Sequence, residues 1–311
     1  MARHRIGIIG LGKIAQDQHL PVIAASPAFE LVAVSSQRGL GAPGAARSVR
    51  EYAELLALPD VEAVAICTPP QVRHRIARAA LLAGKHVMLE KPPAATTSEL
   101  ADLVEIAERA GRVLFATWHS QYNEAVEEAA RRLEGERLRS MRVTWKEDVR
   151  RWHPGQAWIW QAGGFGVFDP GINALSIVTR VLPDPAFIRR ATLHVPANAD
   201  APIAAILEFG SGEGDAAMRA EFDWRQEGEQ IWEIALETAA GRSLLLDRGG
   251  ARLAVDGAVL VDRAPAEYEA IYARFDALLR AGHSAVDERP FRLVADAFMI
   301  GRRIDVEAFH E

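Results

Sequence analysis

The chain of 311 residues is long enough for two domains of ordinary size. Its composition, 49% hydrophobic and 25% charged residues, is typical of a folded globular protein and argues against a disordered or fibrous chain. A net charge of −6 gives no overall attraction to nucleic acid or to an anionic membrane. With one cysteine, Cys67, no pattern of a signal peptide and no long apolar run, we expect a cytoplasmic protein without an internal disulfide.

The first part of the chain alternates short apolar runs with segments of helical periodicity. We predict strands over 5–9, 30–34, 61–66, 86–89 and 113–116, and helices over 13–25, 71–83 and 96–110. The last of these helices begins at a possible capping box, Thr96 and Glu99, and ends before Gly111. Strands this short and apolar, separated by helices, indicate an α/β domain with a doubly wound parallel sheet covered on both faces.

The pattern changes after residue 117. We predict helices over 123–133, 171–182, 266–281 and 290–303, a strand over 138–149, and several consecutive strands between 187 and 261, with a turn at 210–214. Strands that follow one another without helices form antiparallel sheets, so this part is predicted to be an α+β domain. The expected division is a first domain over 1–118 and a second domain over 119–311.

A glycine-rich motif of the form G-x-G-x-x-A follows the first predicted strand, as Gly10-Leu-Gly12-Lys13-Ile14-Ala15. The first glycine permits a tight turn, the second lets a pyrophosphate approach the main chain, and Ala15 allows close packing of helix on strand. The helix N-terminus would then present free N–H groups to the phosphates. The segment from Gly7 to Lys13 also resembles the start of a P-loop, but Ile14 stands where a P-loop needs Ser or Thr to hold magnesium. We therefore predict a dinucleotide site.

The end of the second predicted strand indicates which dinucleotide binds. An NAD site usually has Asp or Glu there to hold the ribose 2′-hydroxyl. Here the residues are Ser35-Ser36-Gln37-Arg38, which include no carboxylate, and Ser36 and Arg38 could bind a 2′-phosphate. The alternative is that Arg38 is an ordinary solvated arginine. We predict that NADP is preferred and NAD tolerated.

Lys91 lies in Glu90-Lys91-Pro92-Pro93, directly after the fourth predicted strand. Ligands of open α/β sheets bind at the carboxyl ends of the strands, which places Lys91 in the expected site. The two prolines stiffen the turn because the residue before a proline avoids the helical region. A lysine can act as a base only when its surroundings favour the neutral amine, as burial and a cationic nicotinamide do. The alternative is a surface lysine in an ion pair.

A second group of polar and aromatic residues lies between 145 and 173. Asp169 precedes Pro170 and is predicted to cap a helix, and Asn173 lies one turn further along the same face. Four of the seven tryptophans fall between 145 and 160, together with Glu147 and His153. Flat apolar faces beside hydrogen-bonding groups suit a sugar, although ordinary packing explains tryptophans equally well. His153 has no convincing set of fellow ligands, so no metal site is predicted.

These segments together resemble the glucose–fructose oxidoreductase/inositol dehydrogenase/MocA family. The resemblance rests on the G-x-G-x-x-A motif, Thr68-Pro69-Pro70, Ala83-Gly-Lys-His-Val87 and Glu90-Lys-Pro92, and it extends over the whole chain. Four longer segments, 86–93, 115–120, 145–155 and 168–173, are similar to the branch of this family that oxidises L-arabinose and D-galactose. The resemblance implies that residues 1–118 form a dinucleotide-binding Rossmann domain and residues 119–311 a substrate-binding and oligomerisation domain. The second domain would contain an open antiparallel sheet, through which family members form homodimers or homotetramers.

Roles for individual residues follow from the resemblance. It implies that Lys91 and Asp169 are catalytic, and that Asn173 binds the sugar where many family members carry a proton-carrying histidine. The other residues matched to the sugar pocket are His119, Glu147, Trp152, His153 and, more weakly, Trp232. The residues matched to the cofactor site are Gly10, Gly12, Lys13, Ile14, Ser36, Gln37, Arg38, Thr68, Pro69, Pro70, Glu90 and Lys91.

The expected activity is NAD(P)-dependent oxidation of an aldopyranose, L-arabinose or D-galactose, at its anomeric carbon to give the aldonolactone. Two alternatives stay open. One is a dehydrogenase of the same family acting on an inositol or a diol. The other is a regulator that binds NADP and sugar without chemistry; the presence of both Lys91 and Asp169 counts against it.

Overall fold

The computed structural model describes residues 2–211 and 214–311. The described residues form two compact units. The first contains the chain up to His119 together with Ala266–Glu288, and the second contains Ser120–Pro265 and Arg289–Glu311. The first unit thus extends one residue past the expected division at residue 118, and Ala266–Glu288, which was expected in the second domain, belongs to the first unit. Rings of this segment pack on a strand residue of that unit: Phe275 stacks on Phe29 at 5.8 Å, and Tyr272 contacts Phe29 at 5.2 Å.

The first unit is built on a parallel sheet of six strands. The strands are β1 (His4–Ile9), β2 (Phe29–Ser35), β3 (Arg47–Val49), β4 (Ala63–Ile66), β5 (His86–Leu89) and β6 (Leu114–Ala116), in the sheet order β3-β2-β1-β4-β5-β6. The helices of this part are α1 (Leu20–Ala25), preceded by a π-helical turn over Ala15–His19, α2 (Tyr52–Leu56), α3 (Pro70–Leu82) and α4 (Thr97–Ala110). This confirms the predicted doubly wound α/β fold.

The capping box of α4 has the predicted hydrogen bonds. The main-chain N–H of Glu99 donates to Thr96 Oγ1 at 3.2 Å, and the N–H of Thr96 donates to Glu99 Oε2 at 3.4 Å. Gly111 ends the helix in the left-handed conformation with φ of +60°. In contrast, β3 and α2 were not predicted. Two of the three residues of β3 are exposed, so the strand carries no apolar pattern for sequence reasoning to detect.

The second unit contains a nine-stranded sheet and helices packed on it. Its elements between residues 120 and 265 are α5 (Glu124–Leu133), β7 (Leu138–Lys146), α6 (Val149–Trp152), α7 (Phe168–Val181), β8 (Ala186–Pro196), β9 (Ala204–Ser211), β10 (Gly214–Asp223), β11 (Ile231–Thr238), β12 (Ser243–Asp247), β13 (Arg252–Val255) and β14 (Ala258–Asp262). The predicted turn at 210–214 includes residues 212 and 213, which lie outside the described residues.

The C-terminal part of the chain contributes to both units. Helix α8 (Glu267–Ala281) belongs to the first unit, and α9 (Arg289–Ile300) and β15 (Arg302–Val306) belong to the second. The large sheet has the order β14-β13-β12-β11-β7-β10-β9-β8-β15. Among the described strands, β10 runs parallel to β7 and β15 runs parallel to β8. The other neighbouring pairs are antiparallel. The predicted α+β fold with a mainly antiparallel sheet is thus confirmed.

Two predicted elements of the second unit are too long. The strand predicted over 138–149 ends at Lys146, and the helix predicted over 290–303 ends at Ile300, after which the chain continues as β15. Within the described residues, no helix combines the length and apolar character needed to cross a bilayer.

Candidate active site

The glycine-rich loop leaves β1 through Gly10, whose φ of +94° lies in the left-handed region. Its N–H donates to Ser35 O at the end of β2, at 2.9 Å. A Cβ added to Gly10 would lie 3.0 Å from Thr68 Cγ2 and 3.1 Å from Thr68 N. Both the main-chain conformation and this close approach therefore require glycine at position 10.

The surroundings of Gly12 fit a bound dinucleotide. A Cβ added to Gly12 would meet no atom of the described residues within 4 Å, so the main chain faces open space there. The buried Oγ1 of Thr68 also has no hydrogen-bond partner among the described residues. Lys13 and Ile14, directly before the π-helical turn, are both exposed, while Ala15 is fully buried in the core of the unit. Open main chain, a helix N-terminus and an unpaired hydroxyl are the groups that a pyrophosphate would use.

The residues after β2 lie beside this loop. Arg38 Nη2 donates to Leu11 O at 3.2 Å, so this exposed guanidinium is held across the glycine-rich loop. Ser36 is buried and its N–H donates to Val49 O, whereas Gln37 is exposed. Arg38 is therefore placed at the edge of the dinucleotide loop, and Ser36 has a structural bond in addition to any contact with a ligand.

Lys91 lies just beyond β5, at the carboxyl edge of the parallel sheet, and the Lys91–Pro92 peptide is cis. Its main-chain N–H donates to Glu90 Oε2 at 3.0 Å. Thr68, Pro69 and Pro70 follow the neighbouring strand β4, and Pro70 is the first residue of α3. The cofactor residues predicted after β1, β2, β4 and β5 thus share one edge of one sheet, as parallel topology requires.

The Glu90 carboxylate is the centre of a buried hydrogen-bonded cluster. Tyr268 OH donates to Glu90 Oε1 at 2.8 Å, and the His19 Nε2 lies 2.9 Å from the same oxygen. His19 Nδ1 is 2.8 Å from Tyr272 OH. Burial alone would raise the pKa of Glu90, but the bond and charge of His19 and the bond from Tyr268 lower it to about 2. Glu90 is therefore a carboxylate at neutral pH, and it accepts a hydrogen bond from the main-chain N–H of Lys91.

The residues of the cluster around Glu90 also have shifted pKa values. Burial raises the pKa of Tyr272 to about 12 and that of Tyr268 well above its ordinary value, so both phenols stay protonated at neutral pH. Burial by itself would lower the pKa of His19, yet Cys67, Tyr272 and Glu90 together hold that pKa well above the usual range. The cluster consequently places the protonated ring of His19 against the Glu90 carboxylate.

His119 lies in the first unit and extends this cluster. Its Nδ1 is 2.9 Å from Glu267 Oε2, and its ring stacks on Tyr268 at 5.9 Å. Burial opposes the charged form of His119, but Glu267, and to a smaller extent Glu90, raise its pKa, while the charge of Lys91 lowers it. His119 therefore belongs to the polar surroundings of Lys91, whereas the other predicted sugar-pocket residues lie in the second unit.

In the second unit, the Glu147 carboxylate is held between two indole rings. Trp224 Nε1 donates to Glu147 Oε1 at 3.1 Å, and Trp232 Nε1 donates to Oε2 at 2.9 Å. Trp152 contacts Trp232 edge-on at 5.7 Å and is about 38% exposed. The two indole bonds, one to each carboxylate oxygen, fix the orientation of Glu147.

Asp169 and His153 come together beside the same tryptophan. His153 Nε2 lies 3.5 Å from Asp169 Oδ2, and the His153 ring packs on Trp224 at 5.2 Å. Asp169 is buried, and Asn173 is half-buried one helical turn further along α7. The predicted cap at Asp169 is wrong: α7 begins at Phe168, and the Asp169 N–H already donates to Gly166 O. The turn over 165–168 starts the helix two residues earlier than Pro170 suggested.

Sequence reasoning missed several residues that complete these sites. Those residues are Arg73, Trp224, Glu267, Tyr268 and Tyr272. The three from α8 are about 180 residues from Glu90 in the chain, and no local pattern connects such positions. Among the described residues, no group of three or more His, Cys, Asp or Glu side chains is arranged to hold a metal ion.

A glycine-rich strand–turn–helix, with a lysine at the carboxyl edge of the same parallel sheet, is the arrangement of a dinucleotide-binding Rossmann domain. Comparison with known proteins identifies the family of the chain. Residues 4–117 match the family described as an oxidoreductase family with an NAD-binding Rossmann fold. The chain is 46% identical over 308 residues to a galactose 1-dehydrogenase of Pseudomonas fluorescens, covering 99% of each chain. The protein therefore belongs to the glucose–fructose oxidoreductase/inositol dehydrogenase/MocA family.

Solved structures agree with this assignment. The crystal structure of a D-galactose-1-dehydrogenase protein from Rhizobium etli is 53% identical, with a TM-score of 0.94 and coverage of 100% of this chain and 99% of that one. A 3-ketoreductase from Actinomadura kijaniata, solved in complex with NADP, has a TM-score of 0.82 at 19% identity, covering 98% and 100%. This second, distant structure shows the shared fold alone.

Proposed function

We propose that the protein oxidises D-galactose and L-arabinose, as pyranoses, at the anomeric carbon, with NADP preferred and NAD tolerated. The observation that carries this proposal is Glu147 held between Trp224 and Trp232, beside the Asp169–His153 pair. Apolar ring faces next to fixed acceptors match the alternating C–H and O–H surfaces of a pyranose. The full-length similarity to two galactose 1-dehydrogenases supports the same substrate class.

The preference for NADP rests on the end of β2. Arg38 is held across the glycine-rich loop by its bond to Leu11 O, and the segment 35–38 contains no carboxylate that would repel a 2′-phosphate. Arg binds phosphate through a planar fork of donors. NAD lacks this phosphate and would lose only that contact, so it remains a usable cofactor.

The bound nicotinamide supplies an acceptor for the hydride that leaves the anomeric carbon. The residues of the chain handle the proton. The amine of Lys91, assisted by the carboxylate of Asp169, removes the proton from the anomeric hydroxyl, and the C–O bond becomes the carbonyl of the lactone. One C–H bond and one O–H bond break, and the two electrons leave with the hydride.

Substrate choice follows from the hydroxyl groups that the two sugars share. D-Galactopyranose and L-arabinopyranose have the same ring configuration at carbons 2, 3 and 4 and differ in one hydroxymethyl group. A pocket that differs by a group of this size discriminates by about 1–3 kcal/mol. An epimer at carbon 4, such as glucose, leaves a partner such as Glu147 or Asn173 without its hydrogen bond, which is the larger penalty. We expect both sugars to be accepted and glucose to be poor.

Replacement of Lys91 tests the proposed chemistry. Positioned general-base help is worth about 10²–10⁴-fold, so Lys91→Ala should lower kcat by at least about 10²-fold and keep NADPH binding. Lys91→Arg is the matched variant, because it keeps a positive charge but cannot release a proton under these conditions. Steady-state rates of NADPH formation with D-galactose, and fluorescence titration of NADPH, measure the two effects. Wild-type kcat in either variant would remove Lys91 from the proposed role.

A further inference from the structure

We propose that Arg73 is a positioning residue that holds Lys91 in place from the far side of its loop. Arg73 lies in the first turn of α3 and is only 3% exposed. Its Nη1 donates to two main-chain carbonyls, Glu90 O and Pro92 O, and its Nη2 donates to Thr68 O. The role in turnover rests on the proposed function, whereas the role in holding the loop does not.

The acceptors of Arg73 lie on two loops that both carry predicted site residues. Thr68 follows β4, and Glu90 to Pro92 follow β5, the neighbouring strand of the parallel sheet. The guanidinium therefore joins the loop beside the glycine-rich turn to the loop that contains Lys91. The planar fork of arginine can donate to three fixed oxygens at once, which a lysine ammonium on a flexible stem cannot do in the same geometry.

Two side chains hold the main chain around Lys91: one donates to carbonyl groups, and the other accepts from an N–H group. Arg73 holds the carbonyls of residues 90 and 92, and the Glu90 carboxylate holds the N–H of Lys91 at 3.0 Å. One polar main-chain group at each of these three positions is thus held by a buried side chain. The Lys91 side chain keeps its own torsional freedom, but its main chain is held on both sides.

A buried cation is costly unless hydrogen bonds replace its hydration. For Arg73, carbonyl groups of the two loops replace the lost water. The guanidinium is therefore stabilised only when the loops have this geometry. The remaining arginines of α3, Arg75 and Arg78, are exposed. A displacement of about 1 Å at a reacting group can lower the rate about 10²-fold, so a loosened Lys91 loop has a measurable effect on turnover.

The test combines hydrogen exchange with kinetics in Arg73→Met and Arg73→Lys, with Arg75→Lys as the matched control on the same helix. Hydrogen–deuterium exchange followed by mass spectrometry reports the main chain of segments 66–70 and 88–93 without any cofactor or substrate. We expect exchange in both segments to accelerate about tenfold or more in Arg73→Met, while strand β1 stays protected. Arg75→Lys should match the wild type.

The kinetic part separates positioning from binding. In Arg73→Met we expect kcat with D-galactose to fall by about 10²-fold, with the KM for the sugar within about threefold of the wild type. Arg73→Lys should give an intermediate kcat. If Arg73→Met does not fold, Arg73→Lys provides both readouts.

Three results would overturn the proposal. Unchanged exchange in the two segments, or an increase spread equally over the whole chain, would show that Arg73 does not hold this loop. Wild-type kcat in a variant whose melting temperature falls would show that Arg73 contributes only to stability. A wild-type protein that turns over no sugar contradicts the proposed function instead, and the exchange measurement still decides whether Arg73 holds the loop.

Discussion

Glu90 joins residues from three distant parts of the chain: His19 before α1, Lys91 after β5 and Tyr268 in α8. A buried carboxylate is costly, and here three donors replace the water it has lost. Its charge lies next to the Lys91 peptide and is offset by the ring of His19. This anion therefore supports the active-site loop through hydrogen bonds and through charge.

Glu90→Gln tests this role as a function of pH. The folded-state pKa of Glu90 is lowered from 4.5 to about 2, so the stabilisation it provides is complete above its unfolded-state pKa and is lost as the pH falls toward 2. A shift of this size corresponds to about 3 kcal/mol. We expect Glu90→Gln to be less stable than the wild type at pH 7, with the difference shrinking between about pH 4.5 and pH 2. Urea unfolding at several pH values measures it.

The control for this prediction is Glu108→Gln, which removes an exposed carboxylate of α4. Its stability relative to the wild type should change little over the same pH range. A Glu90→Gln variant that is as stable as the wild type at pH 7 would contradict the account of a carboxylate stabilised by its donors.

Individual site residues could be predicted from sequence only where they follow a strand or belong to a motif. The positions of Lys91 and Gly10 at one edge of the sheet were predicted in this way, because the carboxyl ends of parallel strands meet there. Trp224 and Tyr268 could not be found, since their roles depend on partners far away in the chain. The amino-acid types alone gave no reason to select these two over the other aromatic residues.

At the scale of elements, the turn between β1 and the first helix contains two glycines with different roles: one is required by the fold, and the other faces open space. Gly10 has a left-handed φ of +94° and a crowded Cβ position, whereas Gly12 has neither. The same substitution at the two positions therefore has different physical consequences.

Gly10→Ala and Gly12→Ala form a matched pair. An alanine forced into the left-handed region costs about 1–3 kcal/mol, so Gly10→Ala should lower the melting temperature as well as NADPH affinity. Gly12→Ala should leave the melting temperature unchanged. A methyl group crowding a bound phosphate costs about 1–3 kcal/mol, so Gly12→Ala should weaken NADPH binding by about 5- to 150-fold. Differential scanning fluorimetry and fluorescence titration measure these effects; unchanged NADPH affinity in Gly12→Ala would exclude this loop as the phosphate site.

Elements were predictable where the apolar pattern was strong. The capping box fixed the start of α4 correctly, because both of its hydrogen bonds are local. The end of α9 was placed too late: the chain after Ile300 pairs with β8, and this long-range pairing overrides helical periodicity. The start of α7 was also missed, because a turn over 165–168 begins the helix before Pro170.

For the whole molecule, composition and alternation of elements predicted one parallel and one mainly antiparallel sheet. They did not predict that Ala266–Glu288 returns to the first unit. This return matters for function, since Glu267, Tyr268 and Tyr272 complete the surroundings of Glu90 and His119. The homodimer or homotetramer and the cytoplasmic location stay predictions from the sequence.

The central claim, that this oxidoreductase acts on the anomeric carbon of galactose-configured pyranoses, is tested most directly by reduced-cofactor absorbance. NADP and NAD are each combined with D-galactose, L-arabinose, D-glucose and myo-inositol. We predict turnover of the first two sugars, faster at low concentration of NADP than of NAD, with little turnover of glucose or inositol. Preferred turnover of myo-inositol, or NADPH binding without turnover of any sugar, would contradict the claim.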